Sequence, residues 1–295
     1  MDARIFPLLD VSRADLEAAV GEPIVSAEPV GGGLTNTLHR VVLASGATVV
    51  AKHFPPGNEA GFADEVAILG WLAGTVPVPE LVRADRERRV VVYRWVEGET
   101  LDDLRRRDPA AFAALAEPLG RLFAALARVE PLRDDDWDVD PLIFGARVKL
   151  LEGRARARTG AALADALAAA YPAWRDRLAW GEPCLVHGDI GGRNLLVHGG
   201  RIAGLIDWEA AATGSPLVDA GALFRYTGRY DDAFRAAFER GYRLAGGALP
   251  DDWYRASRLL DATRMIDILD EPRDLPSVFA DCRVQLARLA ADLVA

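Results

Sequence analysis

Residues Leu185–Glu209 read LVHGDIGGRNLLVHGGRIAGLIDWE, and this stretch decides the fold class. A short apolar run, Cys184–His187, leads into a Gly188-Asp189 turn, and Asn194 follows Asp189 by five residues. Two β-like runs come next, Leu195–Val197 and Arg201–Ile206, joined by a His-Gly-Gly turn. The second run ends at Asp207. Phosphoryl transfer needs a carboxylate that accepts or orients the proton of the attacking hydroxyl. It also needs oxygen donors that hold magnesium against the phosphates. Asp189 fits the first role, and Asn194 and Asp207 fit the second. A hairpin between them can carry Asp207 back beside the Asp189 loop. Aspartate or asparagine alone in a glycine-rich loop is an ordinary turn residue; the combined spacing is what points to chemistry.

Upstream, the pattern is that of a small antiparallel sheet. Ser12 before Arg-Ala-Asp-Leu-Glu reads as the N-cap of a helix ending near Gly21. Strands are expected at Pro23–Pro29, Leu38–Leu43, Ala47–His53, Leu81–Ala84 and Arg89–Val96, with one helix over Gly61–Ala73. After Glu97-Gly98 the periodicity becomes helical, over Leu101–Arg107, Phe112–Arg128, Leu142–Arg158, Ala161–Leu178 and onward to the C-terminus. The expected organisation is residues 1–96 as a nucleotide-binding lobe and 97–295 as a helical lobe with the catalytic loop and acceptor site. This is an α+β layout, a small antiparallel β lobe plus a larger, mainly helical lobe, and it resembles the bilobal protein-kinase-like fold.

Two features of the front lobe suit a nucleotide. Val30–Thr37, VGGGLTNT, places Gly31, Gly32 and Gly33 between two strands, where bare backbone can approach phosphates. No helix follows and no Gly-Lys-Ser/Thr is present, so neither the dinucleotide fingerprint nor the Walker loop applies. Lys52 lies in the apolar strand VVAKHF, where an ammonium is costly to bury unless paired. Only two of the 35 basic residues are lysine, Lys52 and Lys149, so a lysine at this place is selected over arginine. Glu65, thirteen residues on in the expected helix, is the preferred partner, with Asp64 the rival one position round. Lys149 sits on a basic helix and reads as solvated.

These residues resemble the aminoglycoside phosphotransferase/choline kinase superfamily, whose members phosphorylate small-molecule hydroxyls with ATP and magnesium. The resemblance implies Asp189 as catalytic base, Asn194 and Asp207 as magnesium ligands, and His187 as a structural residue. It implies that ATP, or GTP, binds between the lobes, with Lys52 on its phosphates and Glu65 holding Lys52. Gly31–Gly33, Thr35 and Asn36 match the nucleotide-positioning loop. Tyr93, Arg94, Trp95 and Val96 match the hinge that meets the purine, although the Tyr93 and Trp95 side chains read better as core packing. Asp219 resembles an aspartate that braces the catalytic loop. Gly191 stands where protein kinases carry a loop lysine, in agreement with the small-molecule kinases.

Composition limits the rest. With 295 residues, 51% hydrophobic and 27% charged, the chain can bury a sizeable core over about two lobes. Net charge −9 argues against a nucleic-acid partner. No apolar run is long enough for a membrane span, and the N-terminal stretch lacks a signal peptide's pattern, so a cytoplasmic protein is expected, as a monomer or homodimer. Two cysteines cannot form a disulfide framework. The acceptor is expected to be a hydroxyl-bearing small molecule: an aminoglycoside or other antibiotic, in which case the role is resistance, or a metabolite such as choline, homoserine or a sugar. A nucleotide-binding pseudokinase scaffold is the remaining alternative. Asp267, Asp270 and Glu271 are candidates for the cationic end of the acceptor, against a basic stretch at Arg147–Arg158. Arg193 and Glu209 are further candidates near the substrate, Arg193 for the γ-phosphate and Glu209 for metal or loop positioning.

Overall fold

Alternation along the third strand, Thr48-Val49-Val50-Ala51-Lys52-His53, organises the front of the molecule. In the computed structural model, residues 6–31, 35–131 and 137–294 are described. They contain a five-stranded antiparallel sheet of β1 (Ile24–Val30), β2 (Thr37–Leu43), β3 (Thr48–His53), β4 (Leu81–Asp85) and β5 (Val90–Arg94), in the order β1-β2-β3-β5-β4. Side chains of successive strand residues point to opposite faces. Val49 and Ala51 therefore join Val41, Leu43, Val90 and Val92 on the face packed by Leu16 and Ala19 of α1 (Arg13–Val20). Val50 and Lys52 point the other way, toward the buried side of α2 (Glu59–Leu72). Both faces are covered, which is why every residue of β3 after Thr48 is buried. The expected cap of α1 is a reciprocal capping box: Ser12 Oγ accepts from Asp15 N–H, and Asp15 Oδ2 accepts from Ser12 N–H.

The chain divides into two compact units. The sheet unit is Ala3–Ala111 together with Arg193–Ala211. The helical unit holds Phe112–Gly192 and Ala212–Ala295. This differs from a division at residue 96, and strand pairing explains the difference. β6 (Glu99–Thr100), which the sequence pattern did not suggest, pairs with β8 (Leu195–His198), and β8 pairs with β9 (Arg201–Leu205). Leu205 N–H also donates to Pro77 O at 2.7 Å. The hairpin at 195–205 is thereby stitched to chain from the N-terminal third. The short α3 (Leu101–Arg107) completes this unit; Thr100 caps it by accepting from Asp103 N–H.

The helical unit begins with α4 (Pro109–Ala114), whose Phe112 starts its core, and continues with α5 (Ala116–Leu126), α6 (Val139–Leu151), α7 (Arg154–Thr159) and α8 (Ala161–Leu178). The single helix expected over 142–158 is broken between α6 and α7 at Glu152-Gly153. A side chain at 153 would collide with the Lys149 backbone and the Asp270 carboxylate. β7 (Cys184–Val186) pairs with β10 (Ala212–Gly214). Then come α9 (Leu217–Phe224), α10 (Asp232–Leu244), α11 (Trp253–Asp270) and α12 (Pro276–Val294). Phe224 meets Tyr230, Phe238 and Trp253 edge-on at 5.0–5.5 Å between ring centres, anchoring the end of α9 in the core. Among the described residues no helix is long and apolar enough to cross a membrane.

Candidate active site

In the sheet unit, Lys52 is 2% exposed and Glu65 1%. Lys52 Nζ donates to Glu65 Oε2 at 2.5 Å and to Asp207 Oδ1 at 2.6 Å. Glu65 rather than Asp64 meets the lysine because it lies on the inward stripe Gly61, Phe62, Glu65, Ile68, Leu69, Leu72 of α2. Burial works against the ammonium's charge, but Glu65 and then Asp207 outweigh it and raise the Lys52 pKa. Burial also pushes the Glu65 carboxyl up to about 7, with Lys52 opposing. The Tyr93 phenol is raised by burial in the same pocket of charge.

The β8–β9 register sets the two oxygen-bearing candidates. Leu195 pairs with Leu205, so Asn194 opposes Ile206, whose N–H donates to Asn194 O at 3.0 Å. Asp207 is the next residue, so Asn194 and Asp207 occupy the same end of the hairpin. Asp207 has φ 70° and ψ 65°, a left-handed conformation uncommon for a residue with a side chain. The following 3₁₀ turn holds it there: Trp208 is fully buried and its indole N–H donates to Leu205 O at 3.0 Å. A neutral amide and a carboxylate at one hairpin end form a hard-oxygen donor set, which fits magnesium shared with phosphates. Among the described residues, no cluster of three or more histidine, cysteine or acidic side chains forms a self-contained metal cage.

Of the two roles read for Glu209, metal contact or loop positioning, its hydrogen bonds match the second. Its Oε2 accepts from Asn36 Nδ2 at 2.6 Å and from Asn58 Nδ2 at 3.3 Å. It thus ties the end of the glycine-rich segment and the start of α2 to the turn after Asp207. Asn36 is buried, Thr35 half-buried and Gly31 exposed, while Gly32 and Gly33 lie outside the described residues. In the hinge candidate, Tyr93 is buried, Arg94 is exposed and within 3.6 Å of Glu80, and Trp95 lies under the Arg40 guanidinium at 5.1 Å. Val96 is half-buried against Gly204. Arg193 is exposed.

In the helical unit, the loop after β7 is held by its backbone. His187 N–H donates to Asp219 Oδ2 at 3.0 Å and Gly188 N–H to Asp219 Oδ1 at 2.9 Å. Gly188 has φ 78°, which a side chain would disfavour. His187 is fully buried, and its Nδ1 accepts from Asp189 N–H at 3.3 Å. Burial raises the Asp219 pKa, with His187 and the two loop N–H groups opposing. Asp189 Oδ1 lies 3.5 Å from Arg225 Nη1. Arg225 and its bidentate partner Asp261 were not singled out from the sequence as a pair. No local spacing signals them, because their elements meet only through tertiary packing.

The acidic candidates for the acceptor are already engaged. Asp267 Oδ1 accepts from Lys149 Nζ at 2.6 Å, so Lys149 is paired rather than simply solvated. Asp270 Oδ1 accepts from Ala155 N–H at 3.2 Å, and Glu271 Oε2 accepts from Arg273 at 3.0 Å. Arg158 donates to the carbonyls of Leu269 and Glu271. The basic stretch and the acidic stretch thus bind one another instead of forming an open acidic wall.

A small antiparallel sheet with a buried Lys–Glu pair, and a helical unit carrying a braced His-Gly-Asp loop, define a protein-kinase-like phosphotransferase. Residues 26–259 match the phosphotransferase enzyme family, APH, and the chain belongs to that family. It is an enzyme of kinase type that transfers a phosphoryl group to a hydroxyl. Solved structures with the same fold include a macrolide 2'-phosphotransferase, MphH, from Brachybacterium faecium (19% identity, 92% of this chain and 96% of that one, TM-score 0.67). Another is the choline kinase LicA from Streptococcus pneumoniae (18% identity, 94% and 97%, TM-score 0.70). A third is the aminoglycoside phosphotransferase APH(4)-Ia in complex with ADP and hygromycin B (18% identity, 96% and 97%, TM-score 0.69). No curated protein matches the chain.

Proposed function

We propose that the protein transfers the γ-phosphoryl group of ATP, or GTP, to a hydroxyl of a small organic acceptor in a magnesium-dependent reaction. The observation that carries this reading is Lys52, a buried ammonium shared between Glu65 and Asp207. A cation fixed this way, with its charge kept by two carboxylates, is suited to α- and β-phosphates. By resemblance the Gly31–Gly33 segment would meet the same phosphates, and Glu209 holds Asn36, which follows that segment. Asn194 and Asp207 would hold magnesium, which when bound neutralises charge on the phosphate oxygens. Asp189 orients the acceptor hydroxyl and takes its proton, in a loop fixed by Asp219. Catalysis is then positioning and charge stabilisation with no covalent intermediate on the protein.

Two acceptor classes follow. An aminoglycoside or other amine-bearing antibiotic would make the enzyme a resistance factor, with Asp267, Asp270 and Glu271 candidates for the amines. A metabolite kinase acting on choline, homoserine or a sugar is favoured by the engagement of those three acids with Lys149, Ala155 and Arg273. The experiment is a magnesium-dependent ADP-release screen over aminoglycosides, macrolides, cyclic-peptide antibiotics, amino alcohols and sugars. Acceptor-stimulated release that Asp189→Asn abolishes is the expected result. Failure of the wild-type protein to bind magnesium–ATP, or turnover unaffected by Asp189→Asn, would overturn the reading.

A further inference from the structure

α9 approaches α11 closely. A Cβ at Gly221 would collide with the Ser257 carbonyl and the Asp261 Cβ, so only glycine permits this packing. The approach brings Arg225, the residue capping the end of α9, onto Asp261 of α11. Arg225 Nε donates to Asp261 Oδ2 at 2.8 Å and Nη2 to Asp261 Oδ1 at 2.7 Å. Both side chains are largely buried, at 13% and 3% exposure. One edge of the planar guanidinium is therefore fixed by a carboxylate from another helix, and Phe224 is fixed in the aromatic core beside it. The remaining nitrogen, Nη1, lies 3.5 Å from Asp189 Oδ1. Lysine could not serve two carboxylates in this manner, because its ammonium has no rigid fork.

We propose that Arg225 is a positioning residue for Asp189, held in place by Asp261. This deepens the proposed function and rests on Asp189 acting on the acceptor hydroxyl. A carboxylate that orients a hydroxyl uses one oxygen. If the other oxygen is left unrestrained, the group rotates among unproductive orientations. Arg225 restrains the carboxylate from its Oδ1 side. α9 then acts twice on one loop: Asp219 in its first turn fixes the backbone at His187 and Gly188, and Arg225 at its end fixes the side chain of Asp189. A buried Arg–Asp pair could instead serve only to join α9 to α11, and that alternative predicts different kinetics.

The test measures kcat, magnesium–ADP affinity by calorimetry and thermal midpoint. It is run on the wild-type chain and on Arg225→Met, Arg225→Lys, Asp261→Asn and Asp189→Asn. Turnover is read as ADP release with the acceptor from the screen, or as basal magnesium–ATP hydrolysis where water replaces it. Misplacing a reacting group by about 1 Å costs about 100-fold. Arg225→Met is expected to lower kcat by roughly that factor with ADP affinity unchanged. Arg225→Lys should recover part of the loss, and Asp261→Asn should lower kcat by less. Asp189-dependent turnover that Arg225→Met leaves intact, in a protein with only a lower midpoint, would overturn the positioning role. Turnover that Asp189→Asn leaves intact would instead overturn the reading of the site itself. If Arg225→Met does not fold, Arg225→Met/Asp261→Asn removes both charges and leaves no lone buried ion; the same kinetic outcomes then decide.

Discussion

The two units each bury a cation between carboxylates, but they do so from opposite starting points. In the sheet unit, Lys52 sits one residue from the end of β3, and both partners come from elements that follow it locally or close a hairpin: Glu65 on α2 and Asp207 after β9. In the helical unit, Arg225 sits at a helix end and joins Asp261 on α11 with Asp189 on a loop. The lysine is compact and is shared at 2.5 and 2.6 Å, whereas the arginine is planar and unequally shared, bidentate to one acid and 3.5 Å from the other. A compact, point-like charge suits phosphates; a planar fork suits holding another side chain in one orientation.

The difference yields ordered expectations. Asp189→Asn should cost the most activity, about 10³-fold in kcat, while magnesium–ADP still binds with near wild-type affinity in calorimetry. Loss of nucleotide affinity in that variant would mean that the helical-unit loop also holds the nucleotide.

Lys52→Met should cost the most stability. It leaves Glu65 buried without its counterion, at a penalty of about 3–5 kcal/mol in denaturant unfolding. It should also push the Glu65 carboxyl above its value of about 7. The double variant Lys52→Met/Glu65→Gln should regain most of the stability and none of the activity.

His53 gives the next effect, on the face of β3 opposite Lys52. Burial, with His39 adding to it, lowers its pKa to about 4 from 6.5. The unfolded chain takes a proton that the folded chain refuses, so this contribution is present above pH 6.5. It is lost as pH falls toward 4, to the extent of roughly 3 kcal/mol. His53→Leu should flatten the unfolding free energy over that window, while a wild-type slope in the variant would assign the effect elsewhere.

Smallest is Asp267→Asn in the helical unit. Its pair with Lys149 is half exposed, so stability should change by less than about 1 kcal/mol. An unchanged acceptor KM in this variant would favour the metabolite-type acceptor, and a raised KM the polycationic one.

Particular elements explain how much was readable. β3 and α2 were legible because their periods differ, two against 3.6, and each repeats over enough residues to stand out. That made the Lys52–Glu65 pairing legible as well, since an ammonium in an apolar strand needs a partner and Glu65 lies on the apolar stripe. β6 is two residues long and carries no period, so its pairing with β8 was hidden, and with it the boundary of the sheet unit. The break at Glu152-Gly153 was missed because helical spacing continues through it; only the packing against Lys149 and Asp270 forbids a side chain there. The acids at 267–271 looked available because sequence records charge and not partners.

Sequence by itself determined the chemistry on offer: an acid, an amide and an acid at spacings of five and thirteen residues, and one lysine in an apolar strand. Those are local facts, set by strand alternation, helix pitch and turn residues. Beyond the Lys52–Glu65 pair, tertiary structure alone decided which charged groups met which partners. Glu209 went to Asn36 and Asn58, Asp267 to Lys149, and Arg225 to Asp261 and Asp189. Such pairings bring together residues far apart in the chain, and a buried charge must take whatever opposite charge the packing of its neighbours brings within reach.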